Sequence, residues 1–292
     1  MCDNTTENDI DKFIKKGGAL NRRDFTKLSA ATGFAAMLPS VANAETVTES
    51  DVEIETPDGI ADAYFVHPST GKHPAVLIWP DILGLRPAFR AMGKRMAESG
   101  FSVLVVNPFY RSAKAPVIPN GASFRDQETR DIVLPMYKKL SAETHISDAK
   151  VFIDYLDKQE PVDVTRKVGT QGYCMGGPII MRTAAAVPER VGAAASFHGG
   201  GLVTDKEDSP HLLIPQTKAH VLHAIAENDH EKDPTAKQAL IDAYAKADIP
   251  ADIEVFEGTL HGWCPPDSAV YNEEQAERAW ARLLKLYKQA LV

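Results

Sequence analysis

Cysteine is scarce in this chain: three residues among 292, too few for a disulfide framework. No stretch is dense in Lys or Arg, and 32 basic residues against 40 acidic ones leave a net charge of −8, which argues against nucleic acid as a partner. No apolar run reaches the roughly 20 residues that a bilayer-spanning helix needs, so no stable membrane span is expected. Internal repeats are missing, and 19 Gly and 19 Pro are scattered, which excludes a low-complexity chain. No G-x-G-x-x-G follows the early apolar runs, which removes support for nicotinamide chemistry. Metal-ligand spacing is also lacking among the His and Cys residues, so neither metal nor cofactor is expected. What is present is 44% hydrophobic and 25% charged residues, the composition of a globular protein with a sizeable core.

Residues 1–44 read differently from the rest. They hold Lys12, Lys15, Lys16, Arg22, Arg23 and Lys27, after which no basic residue occurs until Lys72. A mild apolar run, Leu28 to Val41, follows, and Ala42-Asn43-Ala44 closes it as an A-x-A cleavage site. This is the three-part layout of a secretory signal. The segment Asn21-Arg22-Arg23-Asp24-Phe25-Thr26-Lys27 resembles a twin-arginine export signal in its paired Arg, Phe and Lys, with Thr26 and Asn21 departing from the commoner residues. The twin-arginine export machinery is therefore an expected partner, with a periplasmic or secreted location. Cleavage after Ala44 would start the mature chain at Glu45, with 26 basic residues against 35 acidic ones.

From Glu45 onward, apolar β-branched runs alternate with helical patterns. Asp51–Thr56 and Ala61–His67 flank Pro57-Asp58-Gly59, which predicts a hairpin. Ala75–Trp79, Phe101–Val106, Lys167–Gln171 and Val191–Phe197 read as buried strands, with Ala219–Ala226 and Ala251–Phe256 completing the series. Between them Pro87–Ser99, Ser147–Gln159, Gly177–Val187, Pro234–Ala247 and Glu273–Leu291 read as helices. The alternation predicts an α/β fold, a mostly parallel central sheet with helices on both faces, in a single domain over residues 45–292. Such sheets bind ligands at the carboxyl ends of their strands, so the residues just after each strand are the ones to search.

Gly172-Tyr173-Cys174-Met175-Gly176-Gly177 follows the run Lys167–Gln171. It is the G-x-S-x-G nucleophile-elbow pattern with Cys in place of Ser, the glycines allowing a tight strand-to-helix turn. The turn would hold the Cys174 sulfur above the sheet at a helix N-terminus, whose dipole favours a thiolate, with the Met175 N–H as half of an oxyanion hole. A buried structural cysteine before a Gly-rich turn is the plainer alternative. An elbow of this kind belongs to the α/β-hydrolase fold and needs an acid and then a His, each after a later strand. Ala219–Ala226 ends in Glu227-Asn228-Asp229-His230, and Ala251–Phe256 ends in Glu257-Gly258-Thr259-Leu260-His261-Gly262-Trp263. Asp229 and His261 hold the required order, though Glu227 is a second possible acid and Asp229 a possible helix cap. His198 follows another strand and is either a cleft residue or a satisfied loop histidine.

With these residues in place the chain, from Val52 to Leu291, resembles the dienelactone hydrolases (carboxymethylenebutenolidases). The resemblance implies an α/β-hydrolase fold and hydrolysis of a small ester or lactone, with Cys174 as nucleophile, His261 as base and Asp229 as its orienter. Trp79-Pro80-Asp81-Ile82-Leu83-Gly84-Leu85 resembles the family's loop after the third strand, which implies the Ile82 N–H as second oxyanion donor. Asp81 stands where the family carries a Glu that interacts with the resting thiol. The family binds its substrate carboxylate with two arginines; Arg111, in Pro108-Phe109-Tyr110-Arg111, matches one, and Pro265 stands in place of the other. Trp263, Phe109 and Tyr110 are candidate apolar walls, and Cys264 a candidate disulfide partner of Cys174. A general carboxylesterase or thioesterase would use the same residues, and a non-catalytic thiol sensor is the rival of a different kind.

Overall fold

The structure, a computed structural model, describes Asp9, Lys12 and residues 38–291; the Arg22-Arg23 motif and most of the apolar run after it lie outside the described residues. A hairpin opens the fold, β1 (Val47–Thr56) and β2 (Gly59–Pro68), and β3 (Ala75–Trp79) follows it. The alternation then runs α1 (Pro87–Glu98), β4 (Ser102–Val106), α2 (Gln127–Tyr137), α3 (Ala142–Asp157), β5 (Val168–Tyr173), α4 (Gly176–Ala186) and β6 (Val191–Phe197). After a 3₁₀ turn at Pro210–Gln216 come β7 (His220–Ala226), α5 (Glu227–Lys232), α6 (Pro234–Lys246), β8 (Ala251–Phe256) and α7 (Glu273–Ala290).

Among the described residues these strands form one eight-stranded sheet in the order β1-β2-β4-β3-β5-β6-β7-β8. β2 is antiparallel to both β1 and β4, and all other pairs are parallel. This is the architecture of the α/β-hydrolase fold. Period-two alternation sends the side chains of each central strand to two cores. Ala75, Leu77 and Trp79 meet Phe152, Ile179 and Tyr244 on one face. Val76 and Ile78 meet Phe89, Met96, Leu283 and Tyr287 on the other. Helices therefore cover both faces, as a mainly parallel sheet requires.

The predicted strands coincide with observed ones to within two residues in the parallel part, whereas the hairpin strands start earlier and run longer. Three elements differ more. α3 begins at Ala142, five residues before the predicted start, because Ser141 accepts from the Thr144 N–H while Thr144 reciprocates to the Ser141 N–H. A Thr in the third helical position replaces the usual Glu or Gln of that cap, which hides it from pattern reading. α2 was not foreseen: it carries Pro135 and buries only Thr129 and Val133. The short helix α5 was not foreseen either, and it carries Asp229. None of the described helices is long and apolar enough to cross a membrane.

Candidate active site

The site gathers at the carboxyl ends of β3, β5, β7 and β8. Cys174 follows the last residue of β5 with φ +54°, a left-handed conformation that is costly for a residue with a Cβ. Its backbone is held there from three sides. The Cys174 N–H donates to Phe197 O at 3.1 Å, and its carbonyl accepts from Gly177 N at 3.1 Å and Gly200 N at 3.4 Å. The elbow closes only on glycine: a Cβ on Gly172 would lie 2.2 Å from Gly176 O, and one on Gly176 would lie 2.5 Å from Trp79 O.

Asp229 and His261 reach the thiol from the next strands. His261 Nδ1 pairs with Asp229 Oδ2 at 2.7 Å, and the same imidazole is electrostatically coupled to the Cys174 sulfur. The His261 N–H donates to Asn228 Oδ1 at 2.8 Å, fixing the backbone as well as the ring. Of the two acids open in the sequence, Asp229 makes the imidazole contact. Glu227 instead accepts from Gly258 N at 3.0 Å, bracing the turn before His261. Burial alone would push His261 down. The Asp229 carboxylate and Cys174 sulfur outweigh it and raise the imidazole to about 10, so at neutral pH it is cationic beside the thiol.

Beside His261 lies His198, fully buried, with φ +41° and its ring 5.1 Å from that of His261 in an edge-on arrangement. Desolvation and the charge of His261 hold it well below the ordinary histidine range, so it stays neutral. Neither of its ring nitrogens has a hydrogen-bond partner among the described residues.

Asp81 and Ile82 follow β3. The Asp81 carboxylate accepts from Leu83 N at 2.9 Å and its carbonyl from Gly84 N at 2.9 Å, a turn that leaves the Ile82 N–H outside the local pairing. No described backbone carbonyl accepts from Ile82 N or Met175 N. Both residues pack with Cys174, Phe109, Ile118 and Val133 in an apolar cluster, with Leu83, Val117 and Phe124 at its edge. The wall of the site is thus largely built by the excursion between β4 and α3, residues 107–141.

Arg111 and Trp263, both expected to meet substrate, are placed elsewhere. Arg111 donates to Asp148 at 2.7 and 2.8 Å and to Asp58 at 2.6 and 2.9 Å, because α3 presents Asp148 under the hairpin turn. Trp263 is fully buried and stacks on Phe256 with ring centroids 4.9 Å apart, since Gly262 (φ +97°) turns the chain back into the core. Tyr110 likewise packs in the opposite core and donates to Asp148, whereas Phe109 does join the wall. Cys264 belongs to the core between the sheet and α7, while Cys174 lies in the cluster around Ile82; neither is in a disulfide.

Arg86 and Asp267 were not singled out in the sequence. Arg86, just before α1, donates to Asp81 at 2.7 and 3.0 Å and to Asp267 at 2.6 and 2.9 Å, tying the loop after β3 to the loop after His261. Burial raises the Asp81 carboxyl against the pull of Arg86, with Asp267 and Cys174 adding to the rise. No local motif announces such a contact, because its partners are 181 residues apart in the chain.

Residues 61–291 match the model of the dienelactone hydrolase family. An assigned carboxymethylenebutenolidase of Methylorubrum extorquens is 25% identical over 282 residues, covering 92% of this chain and 93% of that protein. The carboxymethylenebutenolidase of Pseudomonas putida is 21% identical over 234 residues, covering 80% of this chain and 93% of that protein. Among solved structures, an assigned dienelactone hydrolase from Klebsiella pneumoniae superposes with a TM-score of 0.72 at 20% identity, over 84% of this chain and all of that one, a likeness of fold. With the family model covering most of its length, the chain belongs to the dienelactone hydrolase family and is a hydrolase.

Proposed function

We propose that this protein hydrolyses a small ester or lactone through an acyl-cysteine intermediate. The observation that supports this most directly is the Asp229–His261 pair, electrostatically coupled to a Cys174 thiol held at positive φ. In this reading the Cys174 thiolate attacks the ester carbonyl, and the carbonyl oxygen becomes an oxyanion facing the N–H groups of Ile82 and Met175. Each such donor is worth about 3–4 kcal/mol in the transition state. The oxyanion collapses to a thioester while His261 gives its proton to the leaving alkoxide. His261 then takes a proton from water, which attacks the thioester and regenerates the thiol, with Asp229 fixing the tautomer throughout.

Acylation also retunes the base. Once the sulfur is a thioester its charge is gone, and only Asp229 remains to oppose the burial that pushes His261 down. Loss of the sulfur's charge therefore lowers the imidazole toward the range in which it can accept a proton, at the step that needs a base. The test is a burst assay with p-nitrophenyl acetate, comparing wild type with Cys174→Ser and His261→Ala. A burst stoichiometric with enzyme and lost in both variants is expected; a Cys174→Ala protein with full ester hydrolysis would sink the reading.

Residues 1–44 are read as a twin-arginine signal that sends a single mature domain to the periplasm or beyond. The resemblance of the Arg22-Arg23 segment supports this, and so does the accessibility of the proposed cleavage site. Ala42, Asn43, Ala44 and Glu45 are exposed, and β1 starts only at Val47, so cleavage after Ala44 removes no strand residue. N-terminal sequencing of the exported protein should read Glu45 first; an intact Met1 in that fraction would refute cleavage.

A further inference from the structure

We propose that the Asp81–Arg86–Asp267 cluster makes this site select uncharged acyl groups over acyl groups bearing a carboxylate. The inference rests on the reading of Cys174 as nucleophile and adds the class of substrate.

A guanidinium has five N–H donors. In Arg86 they meet Asp81 twice, Asp267 twice and the Gly84 carbonyl at 3.2 Å. No donor is left for a substrate carboxylate unless an existing bond breaks. Arg111 places four of its five donors on Asp58 and Asp148. Two carboxylates on one guanidinium carry a net charge of −1, and the side chains are only 7, 12 and 13% exposed for Arg86, Asp81 and Asp267. Solvent therefore screens that charge weakly.

Asp81 brings the charge to the reacting atoms. It precedes Ile82, the proposed oxyanion donor, which packs in one cluster with Cys174, and the two guanidinium bonds from Arg86 favour its ionised form against burial. The surfaces facing the thiol from the other side are apolar: Phe109, Ile118 and Val133. An acyl chain ending in a carboxylate would lose hydration against that wall and meet a like charge at the loop. At separations of about 8 Å and an effective dielectric constant of about 20, such repulsion amounts to a factor of ten or more.

The experiment compares two p-nitrophenyl esters of equal length, one of adipic acid with its second carboxyl free and one of monomethyl adipate. Wild type should show kcat/KM at least about tenfold higher on the methyl ester. Asp267→Asn, which brings the cluster to neutrality with little change of shape, should raise the charged-to-neutral ratio about fivefold or more. Both esters are read on one preparation, so a general loss of folding or of loop position lowers both rates and leaves the ratio alone. Equal or preferred turnover of the free carboxylate by wild type, or an unchanged ratio in folded Asp267→Asn, would overturn the charge selection while leaving the hydrolase reading intact. No turnover of either ester by wild type would overturn the nucleophile reading, and this inference with it.

Discussion

The Asp229 carboxylate and the Cys174 sulfur together hold His261 cationic, and Asp229, the larger influence, sets how far that charge extends in pH. The imidazole titrates near 10, so it stays cationic through neutrality and is neutralised only on the alkaline side. Asp229→Asn removes the largest influence that raises His261, so the alkaline limb of kcat/KM should move to lower pH. The amide can also hold the wrong tautomer, and a loss of about 10²–10⁴ in kcat is expected. A pH–rate series on both proteins checks this; an alkaline limb that stays in place would deny Asp229 its role. The elbow is equally sensitive. Gly176→Ala would place a methyl against the Trp79 carbonyl, backbone that cannot rotate away. A loss of about 1–3 kcal/mol or more is expected in urea denaturation, with a weakened burst because the Met175 N–H moves. By contrast, Gly59 has open space around its missing Cβ, and its substitution should leave the burst intact.

At the level of elements, the excursion between β4 and α3 shapes the acyl side of the site. Val133 on α2 is fully buried in the cluster that contains Cys174 and Ile82. Val133→Ala should enlarge that wall at a cost of roughly 1–3 kcal/mol and shift preference from p-nitrophenyl acetate toward butyrate and hexanoate. An unchanged chain-length profile would place the acyl group elsewhere. This excursion is also where the sequence was least informative. The parallel strands are legible because each is a short continuous apolar run, and the residues after them are legible because a parallel sheet concentrates chemistry at its carboxyl ends. Cys174, Asp229 and His261 are candidates on that ground, and the fold brings Asp229 against His261. α2 hid behind Pro135 and a weak apolar face, and the start of α3 behind a Thr-containing cap. Arg86 and Asp267 stayed hidden for another reason: an ion pair closed by tertiary folding has no spacing to read. The pairing of Arg111 with Asp58 and Asp148 and the burial of Trp263 were not legible, because local sequence does not tell which face a loop residue will take.

For the whole molecule, the buried histidines set a stability profile that the carboxylates alone would not give. His145 and His223 are both held neutral by burial and titrate at about 3 in the fold, His145 also repelled by Arg182. His198 is depressed well below its ordinary value too. In the unfolded chain each regains a value near 6.5, so below that pH the unfolded state binds more protons and stability falls as pH falls. Each such histidine forfeits about 2 kcal/mol by pH 5, before the carboxylates begin to matter. His261 does not blur this window. Its folded value lies above 6.5, so its contribution is complete below pH 6.5 and is lost only as pH rises toward 10. Urea midpoints should therefore decline between pH 6.5 and 5. His223→Gln, which keeps a polar partner near the Tyr244 hydroxyl now 2.9 Å from the imidazole, should flatten that decline even while lowering stability at pH 7.5. If wild type held a constant midpoint from pH 7 to 5, the buried histidines would have to be protonated in the fold, which their dry, cation-free or Arg-flanked surroundings oppose.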